Sequence, residues 1–335
     1  MRYLELGKSG IKISKIGLGT WQIGSSYWGW GKEFDRNSAI RVIKSAIDHG
    51  INFIDTAESY GGGLSETIIG EAVKEMREDV IIATKVSPSH LTYRGVKKAL
   101  RRSLSRLKTK YVDLYQVHWP NPLIPIKGTM RAMEELIDEG KVRTIGVSNF
   151  SLKRLQKARN ALKRHDLVSN QIEYNLLRRD PERELIPYCN KEGLTVIAYS
   201  PLAQGLLTGK YGPGKAPKGF LRRNYIYMRY GRLSRISNLL SVLEEISMIK
   251  GASISQIALG WVIRHPNVVA IPGAKREEHV KQNAEASSIE LGEDELEMIE
   301  RRMQTSKVRA NPAFSDALSV HPTFKALMNW LNPAR

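Results

Sequence analysis

An acid, a phenol, an ammonium and an imidazole stand at or just beyond the ends of three successive apolar runs. They are Asp55 and Tyr60 in "NFIDTAESYGGG", Lys85 in "IIATKV" and His118 in "LYQVHWP". Side chains of these four types can together move a proton. A phenol titrates near 10, so acid or base work near neutrality requires lowering its pKa by about 2 to 3 units, or roughly 3 to 4 kcal/mol. One ammonium at about 4 Å supplies on the order of 4 kcal/mol at an effective dielectric of about 20. Lys85 is therefore expected to favour tyrosinate at Tyr60, with Asp55 pairing to Lys85 and keeping it charged. The order must be acid, ammonium, phenol, because an acid nearer the phenol than the ammonium would raise the phenol pKa instead. Taken singly, Asp55 also fits a helix cap, Lys85 a salt bridge and His118 a hydrogen-bonded core histidine. Taken together, such groups would cost on the order of several kcal/mol to bury unless they satisfy one another.

The elements that must position them alternate along the chain. Eight runs rich in Val, Ile and Leu occur in order: "KIGLGT", "NFIDTA", "VIIATKV", "VDLYQVHW", "TIGVSN", "VSNQIEY", "TVIAYSP" and "VVAIPG". Each has the length and bias of a strand buried on both faces. Between them lie segments of helical period, among them "NSAIRVIKSAIDHG", "SETIIGEAVKEM", "MRAMEELIDEG" and "SISQIALGWVIRH". This alternation implies parallel pairing through right-handed crossovers, and eight repeats suit a closed (β/α)8 TIM barrel. An open doubly wound sheet is the rival, but "GLGTWQIG" after the first run lacks the full Gly-x-Gly-x-x-Gly fingerprint. In a barrel the site lies at the C-terminal ends of the strands, which are roughly 4.8 Å apart. Asp55, Lys85 and His118 would then form a row, with Tyr60 reaching back over it.

The chain reads as a single domain over 1–335: a β-hairpin plug at 1–14, the barrel at 15–286, and an extra helix and tail at 287–335. The insert "GLLTGKYGPGKAPKGFLRRNYIYMRYGRL" is too long for a simple connector. The tail carries Phe324, Leu327, Met328 and Leu331 on one potential helical face. Apolar residues make up 41% and charged residues 26%, as in an ordinary globular protein. The net charge of +18 is spread over helical segments such as "KKALRRSLSRLK" and "SLKRLQKARNALKR" in which Leu and Ala recur, so solvated helix faces explain it better than a nucleic-acid partner. No run is long and apolar enough for a membrane span, and a cytoplasmic location is expected. Cys189, the one cysteine, is expected to be packing, and the scattered histidines suggest no metal site.

From the hairpin to about Arg302 the sequence resembles the aldo-keto reductases. The motifs that carry the resemblance are "GLGTW", "FIDTAESYG", "IATK", "DLYQVHWP", "GKVRTIGVSNF", "NQIEYN", "AYSPLAQGLLTGKY" and "IPGAKREEHVKQN", in family order. The resemblance implies an eight-stranded barrel with an N-terminal hairpin and reversible NAD(P)H-dependent reduction of an aldehyde or ketone. It matches a catalytic tetrad to Asp55, Tyr60, Lys85 and His118, with Tyr60 as general acid and base and His118 orienting the carbonyl oxygen.

The same resemblance implies cofactor contacts from Thr20, Trp21 and Asp55, and from Ser148, Asn149 and Gln171 around the nicotinamide carboxamide. Asn and Gln offer both donors and acceptors to an amide. Tyr199 would stack on the nicotinamide. Ser200, Pro201, Leu202, Gln204 and Gly205 would lie along the pyrophosphate, to which backbone N–H groups of Leu202 to Gly205 would point. Arg222 and Arg223 of the insert would fold over it. Ile271 and Gly273 lead to the adenosine end, where Lys275 and Arg276 would pair with a 2′-phosphate, favouring NADPH, with NADH as the alternative. His279, Gln282 and Asn283 complete this end, and His279 stands where several relatives carry arginine.

Substrate contacts are expected from Trp21, Trp119, Tyr60, His118 and the "SSYWGWG" aromatics Tyr27, Trp28 and Trp30. Such a mouth suits a small apolar carbonyl compound and can also stack on a sugar ring. Trp28 and Trp30 also fit surface-loop packing. Two other readings stand beside the reductase: a Schiff-base enzyme using Lys85, and a non-catalytic redox sensor that binds the cofactor. A small-molecule carbonyl substrate is the expected partner, with neither nucleic acid nor membrane. The sequence sets no oligomeric state.

Overall fold

A computed structural model describes residues 1–211 and 236–306. Arg222, Arg223 and the apolar tail residues Phe324 to Leu331 lie outside the described residues. The chain opens with an antiparallel hairpin of β1 (Tyr3–Glu5) and β2 (Lys12–Ser14). Eight parallel strands follow: β3 (Leu18–Gly19), β4 (Phe53–Asp55), β5 (Ile81–Val86), β6 (Val112–Val117), β7 (Val142–Ser148), β8 (Leu167–Glu173), β9 (Thr195–Tyr199) and β10 (Val268–Ala270). Each pairs with the next in chain order. Parallel bridges Ile16–Ala270 and Gly19–Gly273 join the two ends and close the barrel. The closure needs a glycine, because a Cβ on Gly19 would sit 2.7 Å from the Ile271 carbonyl oxygen.

Ten helices surround these strands among the described residues: α1 (Arg36–Asp48), α2 (Leu64–Ala72), α3 (Tyr93–Leu107), α4 (Ile126–Asp138), α5 (Leu152–Arg159), α6 (Leu185–Glu192), α7 (Ser237–Lys250), α8 (Ile254–Val262), α9 (Glu277–Glu285) and α10 (Glu293–Ser306). Their starts follow from local chemistry. Asp35 caps α1 by accepting from the Ser38 N–H, Thr92 caps α3, and Ser253 with Gln256 forms a capping box on α8. Helix α5 is shorter than the period of "SLKRLQKARNALKR" predicts. Glu134 explains the early stop: its Oε1 accepts the backbone N–H groups of Lys163, Arg164 and His165 at 2.8, 2.6 and 3.2 Å, holding them in a turn.

Side chains alternate across each strand, so every second residue enters the barrel. The lower interior is apolar: Phe53, Ile81, Ala83, Leu114, Ile197 and Val269 pack on Leu6, Ile11 and Ile13 of the hairpin segment. The hairpin segment thus covers the apolar end of the barrel interior. Two residues further along, the same inward positions become Asp55, Lys85, Gln116 and Tyr199, and the interior turns polar towards the C-terminal ends. The larger core lies between strands and helices and includes Cys189, whose thiol burial pushes up to about 12. That suits packing, not nucleophilic chemistry.

Candidate active site

Lys85 is wholly buried, and its Nζ donates to Asp55 Oδ1 at 2.5 Å, to the Thr56 carbonyl at 2.7 Å and to Tyr60 Oη at 3.3 Å. An ammonium has three protons, so this set fills it. The order acid, ammonium, phenol is the one the sequence argument requires. Because Tyr60 Oη accepts from Lys85, the phenol's own proton points elsewhere. The His118 ring lies edge-on to Tyr60 with centroids 5.6 Å apart. Neither His118 ring nitrogen has a hydrogen-bond partner among the described residues. Asp55 and Lys85 form the buried floor, while Tyr60 and His118 keep a face open to solvent.

The turn that delivers Tyr60 is built from glycine. Gly61, Gly62 and Gly63 have φ of 57, 64 and 98° and lead directly into α2. Only glycine adopts three such values in succession without strain. Hydroxyls brace the turn against the first barrel loop: Thr20 Oγ1 donates to the Asp55 carbonyl at 2.8 Å and accepts from Ser65 Oγ at 2.9 Å. Thr20, expected at the cofactor, is buried in this brace.

One expectation reverses. Tyr60 is held well above the ordinary phenol value, first by burial and then by the Asp55 charge, where the sequence suggested that Lys85 would lower it. The reason is that Lys85 is itself buried and paired. Burial pulls its pKa down against the pull of Asp55, and Asp55 cancels much of its field at the phenol. His118 is held well below the usual histidine range by burial and by Lys85, so its ring is neutral.

Gln116 was not singled out in the sequence. It is fully buried in β6, and its Nε2 donates to Asp55 Oδ2 at 3.3 Å. Gln171 Nε2 donates to the same oxygen at 2.8 Å and approaches Gln116 Oε1 at 3.5 Å. A usable signal existed: Gln116 is a polar residue inside an apolar run, two positions before His118 and so on the same strand face.

Above this floor the backbone is unusual. Five non-glycine residues have positive φ among the described residues, and four of them, Asn149, Ser200, Ala203 and Gln204, belong to the expected cofactor segments. Such conformations cost on the order of 1 to 3 kcal/mol each and cluster at binding sites. Asn149 is fully used within the protein: Nδ2 donates to the His118 carbonyl and to Ser148 Oγ, both at 3.0 Å, and Oδ1 accepts from Tyr199 Oη at 2.9 Å. Gln171 Oε1 remains open among the described residues. In the segment after Tyr199, the Ala203 and Gly205 N–H groups bond back to Ser200 and Leu202 carbonyls at 2.9 Å. Those two amides therefore turn inward, away from the anion expected there. Pro201 is buried and Leu202 half-buried.

At the adenosine end, Ile271 is buried, and a Cβ on Gly273 would meet Gln22 Oε1 at 2.9 Å. Lys275 Nζ is not waiting for a phosphate: it pairs with Glu33 Oε2 at 3.2 Å. Arg276 is exposed at the start of α9 and has no acidic partner among the described residues. His279 is held below its ordinary value by desolvation and by Arg276. Gln282 is half-buried and Asn283 buried on the same helix.

The aromatics divide. Trp21 stacks on Tyr27 with centroids 6.2 Å apart, and Trp28 meets both rings edge-on at 5.4 and 5.1 Å. Tyr27 Oη also donates to Gln204 Oε1 at 3.1 Å, joining this loop to the segment after β9. Trp30 instead packs edge-on against Phe34 at 5.4 Å, outside the triad, where it serves the core. Trp119 is half-buried beside His118. Among the described residues no group of three or more His, Cys, Asp or Glu could hold a metal, and no helix is long and apolar enough to cross a membrane.

The family profile described as Aldo/keto reductase family matches residues 15–303. An uncharacterized oxidoreductase of Mycobacterium tuberculosis is 43% identical over 291 residues, covering 87% of this chain and 89% of the relative. An NADH-specific methylglyoxal reductase of Escherichia coli is 33% identical over 316 residues, covering 88% and 95%. The structure of an aldo-keto reductase from Klebsiella pneumoniae in complex with NADPH superposes with a TM-score of 0.75 at 34% identity, covering 90% of this chain and 94% of that one. The acid–ammonium–phenol cluster thus sits in a chain that belongs to the aldo-keto reductase family.

Proposed function

We propose that this oxidoreductase reduces small, uncharged aldehydes or ketones to alcohols with NADPH, using Tyr60 as the proton donor. The observation that carries the reading is the Asp55–Lys85–Tyr60 relay beside a His118 ring with both nitrogens unengaged. Bound NADPH would supply hydride to the carbonyl carbon. The chain's residues do the rest. The neutral His118 ring donates an N–H to the carbonyl oxygen and fixes its position. Tyr60, whose proton is not claimed by Lys85, transfers it to that oxygen as negative charge develops. Lys85, 3.3 Å away, then faces the phenolate that forms. The raised phenol pKa keeps Tyr60 protonated at neutral pH, the state in which it can donate to the carbonyl oxygen.

The residues present fit the dinucleotide. Gln171 Oε1 is open to a carboxamide N–H, the strained run from Ser200 to Gln204 borders the mouth, and exposed Arg276 suits a 2′-phosphate. The aromatic triad Trp21, Tyr27 and Trp28 gives an apolar wall for the substrate. A Schiff-base role for Lys85 is disfavoured, since all three of its protons are bonded and it is wholly buried. The test is a panel of small aldehydes, ketones and sugars with NADPH and with NADH. Carbonyl-dependent NADPH oxidation is the expected result. Cofactor binding without turnover on any carbonyl would favour the sensor reading instead.

A further inference from the structure

Gln116 has no part in the tetrad or in the cofactor contacts that the family resemblance implies, yet it touches both halves of the site. It lies opposite Lys85 in the β5–β6 register and opposite Gly146 in the β6–β7 register. A carboxylate only accepts, so the Gln116 and Gln171 amides must both turn nitrogen towards Asp55 Oδ2. Gln116 Oε1 then takes up a remaining Gln171 N–H, and Gln171 Oε1 is left facing out of the floor. Space enforces the arrangement: a Cβ on Gly146 would meet the Gln116 side chain at 3.3 Å and Ser169 Oγ at 2.4 Å.

We propose that Gln116 is a positioning residue of the reaction centre: its amide holds Gln171 in one orientation and shares the Asp55 carboxylate, making the cofactor-facing and proton-donating halves one hydrogen-bonded unit. This rests on the reductase reading for its consequences but not for its geometry. The charged and titratable groups facing Tyr60 are Asp55 of β4, Lys85 of β5 and the neutral His118 ring after β6. Glu66 of α2 reaches Lys85 only from outside the barrel, tied to Thr84 at 2.6 Å and to Arg106 at 2.6 Å. Losing the Gln116 donor leaves the Asp55 charge less shared, and that charge acts on the phenol.

The test uses Gln116→Met, which keeps length and volume without hydrogen bonds. Tyr60 is titrated by phenolate absorbance in cofactor-free protein, as the difference between each protein and its counterpart carrying Tyr60→Phe. The Tyr60 midpoint is expected to rise by about half a pH unit or more, equivalent to about threefold in acidity. The NADPH dissociation constant is expected to rise about threefold to tenfold, read by fluorescence quenching, as Gln171 loses its fixed orientation. An unchanged phenol titration and an unchanged cofactor affinity would overturn the proposal. If Gln116→Met does not fold, Gln116→Glu serves: its carboxyl must share a proton with Asp55, so cofactor affinity should acquire an ionisation absent from the wild type. No new ionisation would equally overturn it. Should the wild type reduce no carbonyl, the reductase reading fails while the cofactor-free titration still decides the role of Gln116.

Discussion

Lys85 bonds an acid, a carbonyl and a phenol from one buried nitrogen, and each partner depends on its charge. Lys85→Met should abolish reduction and, by leaving Asp55 buried and unpaired, destabilise the fold by about 3 to 5 kcal/mol. Adding Asp55→Asn should restore much of that stability without restoring turnover, a contrast that denaturant titration beside rate measurement would reveal. A second residue-scale expectation concerns Glu33, which holds Lys275 at 3.2 Å. Glu33→Gln should lower the Michaelis constant for NADPH by about twofold to fivefold and leave NADH unchanged, a modest effect because the Glu33 side of the pair is largely exposed. Equal changes for both cofactors would show that Lys275 does not meet the 2′-phosphate. The meeting of these side chains was legible because Asp55, Lys85 and His118 stand at or next to the ends of apolar runs and Tyr60 follows Asp55 by five residues. The direction of the Tyr60 shift was not, because a sequence names neighbours but not how deeply they are buried.

The Gly61–Gly63 turn carries the argument at the scale of elements. A Cβ on Gly61 would lie 2.8 Å from Gly24 Cα and 2.9 Å from the Ile23 carbonyl oxygen, whereas one on Gly62 would meet nothing within 4 Å. Both have positive φ. Gly62→Ala should therefore cost about 1 to 2 kcal/mol from conformation alone, and Gly61→Ala more, with a larger loss of activity because Tyr60 is displaced. Similar losses in the two variants would show that the Gly24 contact does not position Tyr60. The eight strands and the hairpin could be read directly, since each is a short apolar or alternating run bounded by turn residues. The end of α5 could not, because it depends on Glu134, which comes from the preceding helix. The pairing of Tyr27 with Gln204 likewise joins loops 177 residues apart.

Over the whole molecule, alternation of strand and helix was enough to imply a closed barrel, and some of the basic side chains around it pair with acids, which leaves the net excess of +18 on the others. Lys97 pairs with Glu135 and Glu139, and Arg164 with Asp138. Acid sensitivity follows from half-buried histidines held neutral in the fold. His265 is lowered to about 4 by desolvation and Arg264, and His118 is also depressed. A depressed histidine stabilises the fold above its unfolded pKa of about 6.5, and that stability is lost as pH falls through the folded value. His265→Gln should flatten the fall in unfolding free energy between about pH 6.5 and pH 4, by no more than about 2 kcal/mol because the ring is half-exposed. The reaction itself rests on one oxygen atom. The most direct measurement is carbonyl-dependent NADPH oxidation by Tyr60→Phe, with cofactor affinity read alongside by fluorescence quenching. A loss of about 100-fold or more in turnover with cofactor affinity retained is expected. Full turnover by Tyr60→Phe with a good aldehyde would contradict the account.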